Sequence, residues 1–412
     1  MMSLSRWISC GSRLRARISK GPFQEHHRRQ WSSIARTQDA LVIDALGASF
    51  PFVWLRDSCL SPKCIHPSTS QKLHRSSDIP RDVRPAEDGV ALSHDGLHIR
   101  WADGHSSFFP REFLHRHSSR ERLAAFHADV QERPWGAAEI SRNPNLFVAY
   151  AALQSPAGLR TAIDQLCADG LLFVSGVPHR ETAHATCELR RLAETFSHVR
   201  ETFYGQVWDV VSLRNSRNIA YTNLDLGLHM DLLYFKNPPK YQILHCLRNR
   251  VDGGTSIFVD AFHAAAALRE QDPALFDVLA NTPVPFHYIN DGHHLHCAHP
   301  TIELSAGGGV EQINYSPPFQ APLLLDTPPA FYGALAKFAA LVGDSARTYQ
   351  YTLKEGDAVV FDNRRVLHAR TAFTDREGEE RSGNGEPNRW LKGCYFESDV
   401  LLDRGRMLRK GL

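Results

Sequence analysis

Short runs of apolar residues, separated by Gly, Pro, Asp and Ser, recur along the chain and indicate a mainly β protein. In the N-terminal part these runs are too short for helices and are flanked by turn residues. They predict strands at 40–43, 52–55, 90–92, 97–101 and 106–109. Runs of the same kind further along predict buried strands at 171–174, 241–246, 255–259, 312–315, 349–353 and 358–361.

Apolar residues at helical spacing interrupt this pattern in a few places. They predict helices at 158–169, 179–198, 260–281 and 328–342. Many short strands with a few flanking helices favour a β-sandwich or jelly roll over a parallel, doubly wound sheet. We therefore expect a mainly β fold that has a small β-rich domain at 37–115, a linker at 116–150 and a larger β-sandwich or jelly-roll domain at 151–412.

The composition of the 412 residues restricts the classes of partner. Lys and Arg number 47 against 45 Asp and Glu, so the net charge of +2 provides no strongly basic surface for nucleic acid. No run approaches the roughly 20 apolar residues that a membrane-spanning helix needs. The eight cysteines are scattered, as is typical of a reduced intracellular protein. We expect a small-molecule substrate, and the sequence leaves a homodimer open.

The first 36 residues differ from the rest of the chain. They contain eight Lys and Arg residues, and Glu25 is their only acid. This composition is typical of a mitochondrial transit peptide, and a solvated basic tail without a targeting function is the alternative. The sequence thus predicts a mitochondrial location, with the cytoplasm as the second choice.

A metal site is indicated by His229 and Asp231, which lie two positions apart. In an extended segment both side chains would project to the same side. The best candidate for a third ligand is His368, which follows an apolar strand and a polar turn. Two imidazoles and one carboxylate on one face of a metal form the facial triad of non-haem Fe(II) oxygenases. Because His-x-Asp also occurs by chance in many proteins, the surrounding sequence has to decide.

The surrounding sequence resembles the family of γ-butyrobetaine and trimethyllysine dioxygenases, which use Fe(II), 2-oxoglutarate and O₂. The resemblance runs from about Phe52 to Leu408 and rests on several motifs in the same order. They are FVWLRDSC at 52–59, WADGH at 101–105, ETFYG at 201–205, AYT at 220–222, LHMD at 228–231, LHC at 244–246, GGTS at 253–256, and FDN at 361–363 followed by His368. The family implies a double-stranded β-helix, or jelly roll, with a small zinc-binding β domain before it.

The resemblance also implies how 2-oxoglutarate is held. An oxoacid that chelates iron leaves its distal carboxylate free, and the planar fork of arginine suits that group. Arg389 stands where the family places this arginine, and Ser256 is the expected hydroxyl helper. A surface arginine at the start of a strand is the alternative interpretation of Arg389.

The resemblance further implies an aromatic cage for the substrate. A trimethylammonium group cannot donate an N–H hydrogen bond, so aromatic faces bind it through cation–π attraction. At the positions of the family's cage this sequence has Tyr204, Trp208, Tyr221 and Tyr395. Any one of these rings alone is better explained by core packing, but the set together with the iron motif favours the cage.

Two further positions bear on the choice of substrate. Asn218 matches the asparagine of butyrobetaine-type enzymes, whereas trimethyllysine-type enzymes carry Asp there for the additional α-ammonium group. The second asparagine that butyrobetaine enzymes use on the substrate carboxylate is Ser316 here, which has a shorter reach. Hydroxylation of γ-butyrobetaine to L-carnitine is therefore the first hypothesis. Trimethyllysine hydroxylation, a related oxygenase acting on another small substrate, and a non-catalytic binding homologue are the alternatives.

Two weaker metal signals are present. Cys59, Cys64 and His105 match three positions of the family's zinc site, and thiolate with imidazole is a normal zinc ligand set. Ser61 stands where the family has another cysteine, so either His66 completes the tetrahedron or the site is empty. The histidine-rich run at 287–299 matches no standard metal spacing, and we interpret it as a polar loop near the mouth of the pocket.

Overall fold

The computed structural model describes residues 33–211, 222–376 and 387–411. These residues divide into two compact units, one ending at Ala128 and the other beginning at Asp129. The division falls inside the expected linker 116–150, which contains the helices Arg120–His127 and Ala137–Ser141. None of the described helices is both long enough and apolar enough to cross a membrane.

The N-terminal unit combines small antiparallel sheets with short helices. Its strands are β1 (Ile34–Arg36), β2 (Ala40–Ile43), β3 (Ala48–Pro51), β4 (Pro85–Leu92), β5 (Gly96–Trp101) and β6 (Ser106–Pro110). Its helices are α1 (Phe52–Asp57), α2 (Arg111–His117) and α3 (Arg120–His127). Strands β1-β2-β3 form one sheet and β4-β5-β6 another. Leu41, Ile99, Trp101 and Phe52 bring apolar side chains from both sheets and from α1 into one buried cluster.

Residues 52–55, which the sequence predicted to be a strand, form the start of α1, so this prediction is wrong. Phe52 and Leu55 are both buried, whereas Val53 between them is 39% exposed. Residues three positions apart lie on one face of a helix but on opposite faces of a strand. The helix therefore buries both apolar side chains in the same core.

The C-terminal unit contains the remaining elements. Its helices are α4 (Ala137–Ser141), α5 (Pro156–Asp169), α6 (Glu188–Phe196), α7 (Ala261–Gln271), α8 (Pro273–Asn281), α9 (Pro329–Val342) and α10 (Ser398–Arg409). Its strands are β7 (Phe147–Ala149), β8 (Leu171–Ser175), β9 (Val199–Arg200), β10 (Trp208–Val211), β11 (Leu226–His229), β12 (Tyr241–Asn249), β13 (Val251–Gly253), β14 (Ser256–Asp260), β15 (Pro283–Asn290), β16 (His293–Pro300), β17 (Ile302–Leu304), β18 (Val310–Ile313), β19 (Thr348–Tyr351), β20 (Ala358–Asp362), β21 (Val366–Arg370), β22 (Phe373–Asp375) and β23 (Arg389–Phe396).

A larger and a smaller sheet face each other in this unit. The larger has the strand order β10-β23-β12-β20-β8-β7, and the smaller has the order β11-β21-β14-β19. The ring centroid of Phe258, in the smaller sheet, lies 5.7 Å from those of Phe173 and Phe361 in the larger sheet. An apolar core thus fills the space between the sheets, as in a jelly roll. The mainly β fold class predicted from the sequence is confirmed.

Two helices differ from their predicted limits. The helix expected at 260–281 is divided into α7 and α8, because Pro273 has no N–H to continue the first helix. The carboxylate of Asp272 caps α8 by accepting the N–H of Leu275. The helix expected at 179–198 is limited to α6, and the residues before it form turns and irregular backbone.

A buried ion pair holds the turn between β20 and β21 in place. Arg365 donates to the two carboxylate oxygens of Asp260 at 3.1 and 2.8 Å. Asp260 ends β14 and also accepts the N–H of Phe262 at the start of α7. The two paired side chains are only 1% and 0% exposed. This pair fixes the position of a turn that enters the candidate active site.

Candidate active site

The three metal-ligand candidates come together in the smaller sheet. Strand β11 ends at His229 and pairs with β21 so that His229 lies opposite His368. Asp231 follows in the next turn, with its Oδ1 3.4 Å from His229 Nε2 and its Oδ2 3.9 Å from His368 Nε2. The ligand atoms of the three residues all lie within 4.8 Å of one another. Two imidazoles and one carboxylate in this arrangement fit a non-haem iron ion.

Asn363, in the turn between β20 and β21, holds the backbone of Asp231. Its Oδ1 accepts the N–H of Asp231 at 2.8 Å, and its Nδ2 donates to the carbonyl oxygen of Asp231 at 3.0 Å. The next residue, Leu232, has a φ of 63°, in the left-handed region that non-glycine residues rarely adopt. Such backbone strain persists where surrounding contacts enforce it, and Asn363 supplies those contacts.

Hydrogen bonds and burial also set the protonation of the candidate ligands. His229 donates from Nδ1 to the carbonyl oxygen of Gly227 at 2.9 Å, which leaves the lone pair of Nε2 for a metal. Burial lowers the pKa of His368 to about 3, so its imidazole is neutral at pH 7. Burial alone would raise the pKa of Asp231, but contacts with both histidines hold this pKa well below its usual value. The neutral imidazole of His368 and the ionised carboxylate of Asp231 are the forms that bind a metal.

A cavity opens over these three residues. Its walls are apolar and aromatic side chains with a few polar groups, which is typical of a small-molecule site. The lining residues are Tyr204, Trp208, Val210, Leu226, His229, Asp231, Leu232, Tyr234, Gln242, Leu244, Ser256, Pro318, Phe319, His368, Ala369, Arg370, Arg389, Leu391 and Tyr395.

Arg389 and Ser256, the candidates for binding 2-oxoglutarate, both line this cavity. Arg389 is 7% exposed, and within the described ranges no residue forms an ion pair with it or accepts a hydrogen bond from its Nε. Burial and the nearby charge of Arg370 lower the pKa of Arg389 to about 9. Gly254, at a φ of 65°, leaves room for this side chain, because a Cβ there would lie 3.0 Å from Arg389 Nε. A buried guanidinium of this kind is suited to a carboxylate ligand.

Three of the four predicted cage residues line the same cavity. The Trp208 ring stacks on Tyr395 with 4.3 Å between centroids, and its centroid lies 6.2 Å from that of Tyr204. Gly393 makes this stacking feasible, since a Cβ there would lie 2.6 Å from the indole of Trp208. The Tyr395 hydroxyl donates to Asp231 Oδ2 at 2.7 Å. The aromatic wall is thus joined directly to the candidate metal ligands.

Of the other predicted substrate contacts, only Ser316 lies within the described residues. Tyr221 and Asn218 lie outside the described residues. Ser316 is buried and precedes the lining residues Pro318 and Phe319, but it does not itself line the cavity.

Several lining residues were missed by the sequence analysis, among them Tyr234, Phe319, Gln242 and Arg370. Arg370 lies two positions after His368 in β21 and therefore shares its face, a signal that was present in the sequence. Phe319 ends a short 3₁₀ helix between β18 and α9, and nothing in its local sequence indicates the contact.

A separate cluster lies within the N-terminal unit. Cys59 Sγ and Cys64 Sγ lie 3.2 and 3.5 Å from His105 Nε2, and Ser61 Oγ lies 3.3 Å from Cys59 Sγ. Burial alone would raise the pKa of the Cys59 thiol, but hydrogen bonds from Ser107 and Ser61 lower it overall. His66 lies outside this cluster, and its Nδ1 is hydrogen bonded to the hydroxyl of a nearby serine at 3.2 Å.

The histidine-rich run is not the polar loop that we expected. It belongs to the antiparallel hairpin β15–β16, in which His287 lies opposite His296. His299 is buried, and its Nε2 donates to the carbonyl oxygen of Phe235 at 3.0 Å. Within the described ranges, ligand atoms close enough to share a metal occur only in the His229 and Cys59 clusters.

We expect Asn363→Leu to weaken metal binding by about 10- to 100-fold, because Asp231 loses the side chain that holds its backbone. Titration of the metal-free chain with Mn²⁺, followed by calorimetry, measures the affinity. Asn281→Leu is the control. Asn281 ends α8, and its side-chain amide donates one exposed hydrogen bond to the carbonyl oxygen of Asp277. Equal affinities in both variants would contradict the role of Asn363.

Most of the chain matches known proteins. The family described as "Taurine catabolism dioxygenase TauD, TfdA family" matches residues 133–395, and "Gamma-butyrobetaine hydroxylase-like, N-terminal" matches residues 41–115. The chain is 56% identical to Dioxygenase str8 of Strobilurus tenacellus over 382 residues, which cover 93% of this chain and 90% of the relative.

Two further relatives carry more specific names. The gamma-butyrobetaine dioxygenase of Pseudomonas sp. (strain AK-1) is 32% identical over 371 residues, covering 89% of this chain and 92% of the relative. The trimethyllysine dioxygenase of Meyerozyma guilliermondii is 28% identical over 394 residues, covering 88% and 91%. The resemblance predicted from the sequence is thus confirmed, and the chain belongs to the TauD, TfdA family of Fe(II)- and 2-oxoglutarate-dependent dioxygenases.

Proposed function

We propose that the chain hydroxylates a small trimethylammonium substrate, with γ-butyrobetaine as the substrate and L-carnitine as the product. The supporting observation is the cavity wall, in which Tyr204, Trp208 and Tyr395 share one space with the proposed iron ligands. Asp231 is the only carboxylate among the described lining residues. A wall of ring faces without a free carboxylate suits a quaternary ammonium group, which cannot donate an N–H hydrogen bond.

Each part of the cavity then has a separate task. His229, Asp231 and His368 hold the iron, and Arg389 with Ser256 holds the distal carboxylate of 2-oxoglutarate. When bound, iron and 2-oxoglutarate supply the oxidation, in which one oxygen atom of O₂ enters the substrate and the other enters succinate as CO₂ is lost. The aromatic side chains orient the amine, and their apolar surface excludes water from the reacting groups.

The choice of γ-butyrobetaine over trimethyllysine rests on charge. Trimethyllysine carries an additional α-ammonium group, and burying that charge without a carboxylate partner would be costly. The described wall offers no second carboxylate for it. Asn218, which we propose as a contact for the substrate carboxylate, is also the residue expected for a butyrobetaine enzyme. Trimethyllysine, another small substrate, and a non-catalytic homologue are the alternatives.

A side-by-side turnover assay tests this proposal. We expect γ-butyrobetaine to give the higher kcat/KM, measured by mass spectrometry of succinate and of the hydroxylated amine. A higher value with trimethyllysine would favour the second substrate. Succinate at background with both amines would contradict the proposed substrate class, and a failure to bind iron would favour a non-catalytic homologue.

We expect Tyr204→Leu and Trp208→Leu to raise the KM for γ-butyrobetaine, because leucine keeps apolar contact but removes the cation–π attraction. The loss should be about 0.5 to 2 kcal/mol per ring, or roughly twofold to thirtyfold. Tyr332→Leu, at an exposed ring that does not line the cavity, is the control. Inhibition by 5,5-dimethylhexanoate, in which an uncharged tert-butyl group replaces the trimethylammonium group, should not weaken in step; if it does, the rings contribute shape and not charge recognition.

We also infer that the N-terminal unit binds zinc through Cys59, Cys64 and His105. The supporting observation is that two thiols and an imidazole meet in one buried place, with Ser61 beside them. Elemental analysis of the purified chain should give about one zinc ion per chain, and Cys59→Ser should remove it. Cys297→Ser, outside the cluster, is the control. A zinc-free wild-type chain after purification without chelators would contradict this inference.

We infer a mitochondrial location from the basic first 36 residues, of which 1–32 lie outside the described residues. A fusion of these 36 residues to a fluorescent protein tests it, and diffuse cytoplasmic fluorescence would contradict it.

A further inference from the structure

Arg370 lines the cavity and also holds the turn that precedes β11. It ends β21 directly opposite Ser256 of β14, and its side chain lines the cavity beside Arg389. Although charged, it is only 6% exposed. Its Nη2 donates to the carbonyl oxygens of Thr222 at 2.8 Å and Leu224 at 2.6 Å.

The turn that Arg370 holds, residues 222–225, leads directly into β11 and so to His229. Asn223 in this turn is hydrogen bonded to β22, because the N–H of Phe373 donates to its carbonyl oxygen at 3.1 Å. The amide of Asn223 donates in return to the carbonyl oxygen of Phe373 at 3.4 Å. The turn is therefore supported by Arg370 and by the same Phe373 whose ring lies beside Arg370.

Two guanidinium groups lie beside the ring of Phe373, and the carboxylate of Asp225 partly balances the charge of Arg370. The guanidinium carbons of Arg370 and Arg389 lie 5.0 and 5.2 Å from the centroid of its ring. Two buried guanidinium groups this close repel each other, and that repulsion contributes to the lowered pKa of Arg389. A dianionic ligand on Arg389 would cancel this repulsion in a place where water screens little.

We propose that Arg370 is a positioning residue that couples binding of the oxoacid dianion on Arg389 to the order of the turn 222–225. With the repulsion from Arg389 cancelled, Arg370 holds the carbonyl oxygens of Thr222 and Leu224 more firmly. The coupling is reciprocal, so the ordered turn tightens co-substrate binding by the same factor. The inference rests on the proposed function in one respect, the assignment of Arg389 to 2-oxoglutarate.

Hydrogen–deuterium exchange of the full chain, loaded with Mn²⁺ and measured with and without saturating 2-oxoglutarate, tests this coupling. In the wild type we expect 2-oxoglutarate to slow amide exchange in the turn by about fivefold or more, a usual size for coupled sites. In Arg370→Met this protection should fall below about twofold. Arg370→Lys, which keeps the charge but not the planar fork, should show less than half of the wild-type protection.

Arg404→Met is the matched control. Arg404 also uses one guanidinium nitrogen to hold two backbone carbonyl oxygens, those of Glu194 and Thr195, but it does not line the cavity. This variant should keep the wild-type protection of the turn. If Arg404→Met keeps this protection, its loss in Arg370→Met reflects a specific effect of Arg370 and not a general loss of packing.

Two results would overturn the proposal: no protection of the wild-type turn by 2-oxoglutarate, or wild-type protection in either Arg370 variant. Arg389→Met, with 2-oxoglutarate affinity measured by calorimetry, tests the assignment of Arg389 separately, because unchanged affinity would refute that assignment. None of the exchange or calorimetry samples contains γ-butyrobetaine or trimethyllysine. The proposed substrate can therefore fail in the turnover assay while the coupling through Arg370 is still observed.

Discussion

The register between β11 and β21 is the constraint on which the candidate active site depends. It places His229 opposite His368, and β21 is held from its other side by β14, where Phe258 lies opposite the same histidine. Because side chains alternate between the faces of a strand, a slip of one residue would turn His368 away from Asp231. The pairing on both sides of β21 excludes that slip.

The turn between β20 and β21 holds Asp231 beside the two histidines that this register brings together. Asn363 holds the backbone of Asp231, and two residues later Arg365 is anchored to Asp260 at the end of β14. One short turn thus connects the larger sheet, the smaller sheet and the segment that carries the carboxylate ligand. Burial makes each of these contacts costly to break, since an unpaired polar group would have no water to bind.

The strand pattern favoured a β-sandwich or jelly roll and drew attention to His229, Asp231 and His368, and the resemblance to the dioxygenase family decided for the jelly roll and the iron site. It did not indicate that residues 52–55 are helical, since their burial depends on a core formed by distant strands. The hairpin that pairs His287 with His296 was also missed, because the five polar or turn-forming residues 290–294 interrupt its apolar pattern. Phe319 reaches the cavity through tertiary packing, which single-sequence patterns do not report, whereas the spacing of Arg370 from His368 could have indicated its position.

Tyr395 carries two tasks in one side chain, since its ring stacks on Trp208 and its hydroxyl binds the carboxylate of Asp231. A mutation that reshapes the pocket at this position would also disturb the metal. Trp208 contributes its ring to the cavity wall and reaches Asp231 through Tyr395. Divergence toward new substrates within this family should therefore proceed more readily through Trp208 than through Tyr395, whose hydroxyl binds the carboxylate of Asp231.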